Sequence, residues 1–256
     1  MTAPALEAIS LHKRFGALAV AQDISLALPV GARHALIGPN GAGKTTLINL
    51  LTGQIPPSSG RIRLCGEDIS HMAPNQRVKR GLVRTYQVNS LFAEMTPLET
   101  ITLAVLERTG RSTAWIGSLK HHHGAIEEAA GLLALLGLDG VASRPTRVLA
   151  YGQQRLLEIA LALAGKPKVL LLDEPMSGIP SEESHDILAI IAALPADIAI
   201  LLIEHDMDLV FRFAQRITVL VAGAILVEGE PAEILADERV HAVYLGDEHL
   251  GSGAPA

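Results

Sequence analysis

The chain carries the stretch Gly38-Pro39-Asn40-Gly41-Ala42-Gly43-Lys44-Thr45. It fits the pattern G-x-x-x-x-G-K-[ST], in which glycines permit the backbone turns that point successive N–H groups at a phosphate. An apolar run at 33–37 precedes this stretch, and an apolar segment at 46–51 follows it. The order of strand, glycine-rich loop and helix predicts a phosphate-binding loop at a helix N-terminus, where the helix dipole favours negative charge.

Three side chains in this region have predicted roles toward a phosphate chain. Lys44 supplies positive charge to the β- and γ-phosphates, the Thr45 hydroxyl is a ligand for Mg²⁺, and Thr46 caps the α-phosphate. The alternative is an ordinary glycine-rich turn before a helix. A chance match to the whole pattern is on the order of one in a hundred for typical residue frequencies, so we favour the phosphate site.

Two later apolar runs end in polar residues. Leu170-Leu171-Leu172 leads into Asp173 and Glu174, and Leu202-Ile203 leads into Glu204-His205-Asp206. Ligands of open α/β sheets bind at the carboxyl ends of the strands, which places these residues near the phosphate loop. We expect Asp173 to hold Mg²⁺, Glu174 to act as the general base toward the attacking water, and His205 to reach the γ-phosphate. An acidic turn after a core strand is common, so this assignment depends on the phosphate loop.

The apolar pattern predicts an α/β fold with an inserted helical part. Helices are predicted at 156–164 and 182–194, strands at 169–172 and 198–203, a half-buried strand at 61–64, and a hairpin at 217–227 turning at Ala222-Gly223. Alternating helices and apolar strands favour a parallel sheet covered by helices. Helical spacing at 97–138 indicates an insertion at about 90–150, with a loop at 110–124.

Composition narrows the function classes. The net charge of -6 argues against a broad nucleic-acid-binding face, and the single cysteine cannot form an internal disulfide. The longest apolar candidate for a membrane span, 187–203, is interrupted by Pro195 and Asp197. The N-terminus does not have the charge order of a signal peptide. We therefore expect any role at a membrane to depend on partner chains.

Three further segments resemble parts of the ATP-binding cassette family. They are Leu149-Ala150-Tyr151-Gly152-Gln153-Gln154-Arg155, which is similar to the signature loop of that family, Lys13-Arg14-Phe15-Gly16, similar to its adenine-stacking loop, and Arg84-Thr85-Tyr86-Gln87, similar to its glutamine loop. With the phosphate loop, the resemblance covers nearly the whole chain. It implies that Phe15 stacks on adenine, that Gln87 senses Mg²⁺ and the membrane subunits, and that His205 is the switch histidine.

The resemblance implies a single ATPase domain with a RecA-like phosphate-loop core. The core has a mainly parallel sheet, an N-terminal antiparallel β subdomain and an inserted α-helical subdomain. The expected lobes are 1–89 and 155–250 for the catalytic core and 90–154 for the helical subdomain. Residues 251–256 are expected to form a frayed tail.

The resemblance also implies a mechanism in which two chains enclose two molecules of Mg-ATP. The phosphate loop of one chain and the signature residues Ala150, Tyr151, Gly152 and Gln153 of the other clamp the same nucleotide, in a homodimer or a heterodimer with a sister ATPase. The segment after Gln87 would contact membrane-spanning permease subunits, and a periplasmic solute-binding protein would act indirectly. The chain would lie at the cytoplasmic face of the inner membrane.

Several features resemble the ATPase subunits of branched-chain amino-acid uptake systems and their urea or amide relatives. They are the segments 84–87 and 149–154, the long helical insertion and Val243-Tyr244-Leu245-Gly246. Three alternatives stay open: an exporter ATPase of the lipid or lipopolysaccharide type, a soluble ATPase acting on ribosomes or DNA, and a subunit that binds ATP but hydrolyses it weakly. The acidic composition and the single cassette argue against the second.

Two residues depart from the family pattern. Ala150 replaces the usual serine of the signature and removes one hydroxyl donor, a loss of about 0.5–1.5 kcal/mol for a neutral hydrogen bond. Pro180 stands where an aspartate or asparagine is usual, which either alters communication across the dimer or simply starts the next helix.

The run His121-His122-His123 is expected in a solvated loop, because adjacent histidines cannot all converge on one metal ion. Trp115 and Ile116 are expected to pack on the helical lobe, and contact with a membrane partner is the alternative.

Overall fold

The computed structural model describes residues 3–85, 91–110 and 122–245. Its strands are β1 (Leu6–Phe15), β2 (Leu18–Leu28), β3 (Arg33–Ile37), β4 (Ser59–Leu64), β5 (Glu67–Asp68), β6 (Leu82–Arg84), β7 (Val169–Asp173), β8 (Ala199–Ile203), β9 (Arg216–Val221) and β10 (Ala224–Gly229). Its α-helices are α1 (Lys44–Thr52), α2 (Pro74–Lys79), α3 (Pro97–Arg108), α4 (His123–Leu135), α5 (Tyr151–Ala164), α6 (Ser181–Ala192), α7 (Met207–Phe213), α8 (Pro231–Ala236) and α9 (Glu238–Leu245). Gln87, Trp115, Ile116, His121 and the tail at 251–256 lie outside the described residues.

A six-stranded sheet forms the centre of the molecule, in the order β10-β9-β3-β8-β7-β6. All neighbours from β9 to β6 run parallel, and only the hairpin strand β10 is antiparallel to β9. Successive side chains of its inner strands enter opposite cores, as Ala35 and Ile37 on one face and Leu36 on the other show. Because both faces are covered, strand β8, and strand β7 up to its last residue Asp173, are apolar without alternation. The predicted parallel sheet is confirmed.

Different layers cover the two faces of this sheet. On one face, α1 contributes Leu47, Ile48, Leu50 and Leu51 to a core shared with the antiparallel sheet β2-β1-β4-β5. On the other face, α5, α6 and α7 share a second core with the helical insertion. Helix α1 is thus held between the central sheet and the N-terminal sheet, which places its first turn and the loop before it at the carboxyl edge of the parallel strands.

The helical insertion consists of α3 and α4 packed on the long helix α5. A reciprocal cap starts α3: Thr96 Oγ1 accepts from the N–H of Glu99 at 3.3 Å, and the Glu99 carboxylate accepts from the N–H of Thr96 at 2.9 Å. Arg108 on α3 donates to both carboxylate oxygens of Glu128 on α4 at 2.7 Å. Helix α5 crosses the expected lobe boundary at 154/155, so one rigid element joins the insertion to the core.

Three helices begin two or more residues before the predicted position. Helix α5 starts at Tyr151 instead of residue 156, because the Gln153 side chain accepts from the N–H of Ala150 at 3.1 Å and caps the first turn. Helix α4 starts at His123, inside the predicted loop, and α1 starts at Lys44, directly after Gly43 with φ 103°. Apolar periodicity does not locate the start of a helix when the residues of its first turn are polar.

The turn between β9 and β10 lies at the position predicted from the sequence. The β9–β10 hairpin turns at Ala222 and Gly223, with φ values of 48° and 79°, as predicted. No helix among the described residues combines the length and the apolar character that a membrane span needs.

Candidate nucleotide site

The phosphate loop joins β3 to α1 and lies against the β9–β10 hairpin. Gly223 donates its N–H to the Ala42 carbonyl at 2.8 Å, and Ala42 donates to Pro39 at 3.1 Å. A Cβ on Gly38, at φ 152°, would lie 2.1 Å from the Leu220 carbonyl oxygen, so only glycine fits there. The loop is therefore held by its neighbours, and its glycine is required by packing as well as by backbone conformation.

Lys44 lies at the centre of this loop. Its Nζ donates to the carbonyl of Gly38 at 2.5 Å and to that of Pro39 at 3.1 Å. Burial lowers the pKa of Lys44, while the charges of Glu174 and, to a smaller extent, Asp173 act in the opposite direction. The charges of both predicted carboxylates thus act on the predicted phosphate-binding lysine.

The accessible groups of the loop match a triphosphate with a divalent cation. Asn40, Gly41 and Thr45 are exposed, and Thr46 is half-buried in the first turn of α1. First-turn N–H groups have no partner within their helix, so they are available to phosphate oxygens. The Thr45 hydroxyl and the Asp173 carboxylate are hard oxygen donors of the type that Mg²⁺ prefers. The residues present therefore fit Mg-ATP.

Asp173, at the end of β7, has a partner that sequence reasoning did not assign. Arg84, the last residue of β6, donates from Nη2 to Asp173 Oδ2 at 2.6 Å and from Nη1 to Asn49 Oδ1 on α1 at 2.8 Å. The two charged side chains are only 11% and 20% exposed. Arg84 thus joins β6, β7 and α1 beside the predicted cation ligand. Arg84 opens the segment that resembles the glutamine loop, but nothing in the sequence indicates its contact with Asp173.

Removing this arginine tests the arrangement. Arg84→Met is expected to lower the free energy of unfolding by about 1–3 kcal/mol, because a part-buried carboxylate loses its hydrogen-bonded cation. The matched control is Arg147→Met, which breaks the exposed pair with Glu94, whose side chains are 56% and 80% exposed. The control is expected to change stability by less than about 1 kcal/mol. Denaturant titration measures both, and equal losses in the two variants would contradict the inferred role.

Glu174 follows β7 in a left-handed backbone conformation, with φ 44°. Its N–H donates to the carbonyl of Ile203 at 2.9 Å, which ties it to the end of β8. His205 lies just beyond that strand, with 71% of its side chain exposed. The neighbouring strands β7 and β8 therefore bring Glu174 and His205 to the same edge of the sheet, as the sequence predicted.

Glu204, between β8 and His205, is a second residue that sequence reasoning left without a role. It is 2% exposed and accepts from the N–H of Met176 at 3.0 Å. Burial raises the pKa of Glu204, against the opposing effect of its backbone hydrogen bonds to Met176 and His205. The residue before the predicted switch histidine is thus part of the core and contacts the segment after Glu174.

The predicted adenine-stacking residue lies at the end of β1. Phe15 is 52% exposed, and the ammonium of Lys13 lies 5.0 Å from the centre of its ring. The adjoining strand β2 approaches the phosphate loop, since a Cβ on Gly43 would lie 3.1 Å from the carbonyl oxygen of Val20. An exposed aromatic ring on this hairpin is available for stacking on a base.

The signature residues lie at the start of α5, with Ala150 as the N-cap and Tyr151, Gly152 and Gln153 in the first turn. The Tyr151 hydroxyl donates to the Ser177 carbonyl at 3.3 Å. A Cβ on Gly152 would lie 2.0 Å from Glu183 Oε1, so a larger residue here would displace the end of that glutamate side chain. Pro180 directly precedes α6, in agreement with the interpretation that it starts that helix.

Comparison with known proteins shows the family to which the chain is similar. A family model described as ABC transporter matches residues 21–177, and a model described as branched-chain amino acid ATP-binding cassette transporter matches residues 224–250. The high-affinity branched-chain amino acid transport ATP-binding protein BraF of Pseudomonas aeruginosa is 39% identical over 256 residues, which covers 96% of this chain and 100% of BraF. The corresponding protein LivG of Escherichia coli K12 is 37% identical over 254 residues, with coverage of 96% and 100%.

Solved structures agree with these sequence matches. The ADP conformation of MJ1267, an ATP-binding cassette of an ABC transporter, superposes with a TM-score of 0.83 at 32% identity, covering 96% of this chain and 100% of that one. The first family model spans more than half of the chain, and the relatives align over their whole length. This chain therefore belongs to the ATP-binding cassette transporter family, as an ATP-hydrolysing subunit.

Proposed function

We propose that this chain is the energy-coupling ATPase of an importer for branched-chain amino acids or related small polar solutes. The observation that carries the proposal is the joint position of the phosphate loop, Asp173, Glu174 and His205 at one edge of the parallel sheet. The full-length relatives are named for branched-chain amino acid transport, and the family model at 224–250 carries the same description. These names favour an importer over an exporter or a soluble ATPase.

The proposed ligand is ATP with Mg²⁺. Phe15 would stack on adenine, and Gly38, Pro39, Asn40, Gly41, Ala42, Gly43, Lys44, Thr45 and Thr46 would bind the phosphates. Thr45, Asp173 and Gln87 would hold the cation, which when bound neutralises charge on the β- and γ-phosphates. The loop carbonyls of Gly38 and Pro39 hold the Lys44 ammonium, which would exchange them for phosphate oxygens when ATP binds.

Glu174, His205 and Lys44 are the proposed catalytic residues. The Glu174 carboxylate would orient the attacking water and accept its proton, while Lys44 binds the transferred phosphoryl group. His205 has an exposed imidazole next to this edge and would donate to the γ-phosphate. Catalysis of this type depends on positioning and on stabilisation of charge, because phosphoryl transfer needs little covalent chemistry from the protein.

The signature residues Ala150, Tyr151, Gly152 and Gln153 would complete the site of a second ATPase subunit. Tyr151 is 41% exposed and stands at the first turn of α5, whose N–H groups favour anions. The partner would be an identical chain or a sister ATPase. In this arrangement ATP is part of the dimer interface, so its hydrolysis weakens the interface.

Permease subunits are the proposed membrane partners. Phe92 follows the glutamine-loop segment and is 62% exposed, which makes it an apolar contact point in the expected docking region. The chain would lie at the cytoplasmic face of the membrane, and a periplasmic solute-binding protein would act through the permease. Nucleic acid is not an expected partner.

Reconstitution tests this proposal. The chain would be assembled in proteoliposomes with the permease subunits and solute-binding protein encoded beside it, and ATP hydrolysis measured with leucine, urea or no solute. Hydrolysis that rises with a solute, together with uptake of that solute, is the expected result. Hydrolysis that responds to no solute, or solute movement in the export direction, would overturn the importer assignment.

A further inference from the structure

Among the acidic residues in the described ranges, only Glu158 and Glu204 are buried. The carboxylate of Glu158 is paired with the guanidinium of Arg155 at 2.5 Å. Glu204 is held differently, because two backbone N–H groups donate to its carboxylate. Burying a carboxylate is costly, and an apolar side chain of similar volume would fill the same space at lower cost. The cost of burying the Glu204 carboxylate is therefore offset by the hydrogen bonds that it accepts from the N–H groups of Met176 and His205.

The contacts of Glu204 join the two strand ends of the nucleotide site. Oε1 accepts from the N–H of Met176 at 3.0 Å, two residues after Glu174. Oε2 accepts from the N–H of His205 at 3.3 Å and lies 3.7 Å from His205 Nδ1. Met176 is itself only 5% exposed, so water does not readily replace this acceptor. One buried side chain thus fixes the segment after β7 to the segment after β8.

Two backbone contacts supplement this link. The N–H of Glu174 donates to the Ile203 carbonyl at 2.9 Å, and that of Ser177 donates to the Glu174 carbonyl at 3.1 Å. Glu174 is therefore held at its own N–H by β8, and the chain that follows it is held by Glu204. A shift of Glu204 would move the main chain on the C-terminal side of Glu174.

We propose that Glu204 is a positioning residue for ATP hydrolysis, which keeps Glu174 and His205 in a fixed mutual geometry by holding Met176 against the backbone of His205. The inference rests on the proposed roles of Glu174 and His205. It assigns Glu204 no contact with ATP. A misplacement of about 1 Å at a reacting group can cost about 100-fold in rate, so a residue of this kind affects kcat more than nucleotide binding.

Two substitutions of Glu204 test the proposal in the reconstituted transporter. Glu204→Ala removes both acceptors, and we expect kcat for ATP hydrolysis to fall by about 30–100-fold with KM changed by less than about twofold. Glu204→Gln retains one oxygen acceptor for the two N–H donors. Its kcat is therefore expected to stay within about tenfold of the wild-type value. The graded order of the two variants distinguishes positioning from a general loss of stability.

The matched control is Glu158→Gln, which alters the other buried acid. It is expected to lower the melting temperature without changing kcat per folded protein, counted by binding of a fluorescent ATP analogue. Wild-type kcat in Glu204→Ala, or a loss found only in nucleotide affinity, would overturn the inference. If Glu204→Ala does not fold, the Gln variant decides: a fall of about threefold or more supports positioning, and wild-type kcat refutes it.

Failure of this inference is distinguishable from failure of the proposed function. If Glu174→Gln abolishes hydrolysis while both Glu204 variants retain the wild-type kcat, only the positioning role is lost. If Glu174→Gln hydrolyses ATP at the wild-type rate, the catalytic assignment itself is wrong.

Discussion

Glu174→Gln is expected to lower kcat for ATP hydrolysis by about 10²–10⁴-fold, because an amide cannot accept a proton from the attacking water. The substitution is nearly isosteric, and the backbone N–H of Glu174 retains its bond to Ile203 at 2.9 Å. ATP binding by Lys44 and its loop is therefore expected to persist. A variant that binds ATP without cleaving it should accumulate as a closed, ATP-bound dimer.

The measurement is steady-state phosphate release, together with size-exclusion chromatography in the presence of ATP and Mg²⁺. A suitable control is Glu127→Gln, an exposed carboxylate on α4, which is expected to leave both kcat and the oligomeric state unchanged. A wild-type hydrolysis rate in Glu174→Gln would exclude this residue as the general base. Loss of hydrolysis without any ATP-dependent dimer would leave Glu174 assigned but contradict the two-chain site.

Arg77→Ala is expected to lower the free energy of unfolding by about 3–5 kcal/mol, although the residue is outside the predicted nucleotide site. Arg77 is 1% exposed and donates to the carbonyls of Leu50 and Leu51 at 2.8 and 2.6 Å, at the end of α1. It also donates to Ser70 at 2.9 Å and Met72 at 3.0 Å. A buried carbonyl that loses its only donor costs about 1–3 kcal/mol. Leu50 keeps the N–H of Gly53 at 3.2 Å as a second donor, and water enters the cavity that truncation leaves, so the expected loss is smaller than the sum over all four carbonyls.

The control for this variant is three residues further along the chain. Arg80 pairs with Glu67 at 2.8 Å, but their side chains are 39% and 52% exposed, so Arg80→Ala is expected to cost less than about 1 kcal/mol. Denaturant-induced unfolding gives both values if the m-values agree. A loss below about 1 kcal/mol in Arg77→Ala would show that water or other donors replace the guanidinium at the end of α1.

The position of the proposed catalytic groups at the sheet edge was predictable because each belongs to a local pattern. The phosphate loop has a defined spacing of glycines and Lys44, and the pairs Asp173-Glu174 and Glu204-His205 each follow an uninterrupted apolar run. In a parallel sheet such runs end at the same edge, so the approach of these groups follows from topology alone. The hairpin at Ala222 and Gly223 was predictable for a similar local reason.

The start of α5 shows where local patterns were insufficient. Apolar periodicity placed it at residue 156, whereas the helix begins at Tyr151, because Gln153 caps the N–H of Ala150. The signature residues therefore form the N-cap and first turn of a helix, where N–H groups have no partner within the helix. The motif identified these residues, but their backbone conformation came from a side-chain contact that periodicity does not detect.

Spacing and polarity along the chain thus determined the parallel sheet, the phosphate loop and the edge of the sheet that carries Asp173 and His205. Only the tertiary structure decided which residues support that edge. Arg84 pairs with Asp173, Glu204 accepts from the N–H of Met176, and Arg77 donates to carbonyls at the end of α1. The physical reason is that a local pattern records how neighbouring residues share a helix or strand. These supporting contacts join residues 26 to 89 positions apart, and their partners are known only when the layers are packed together.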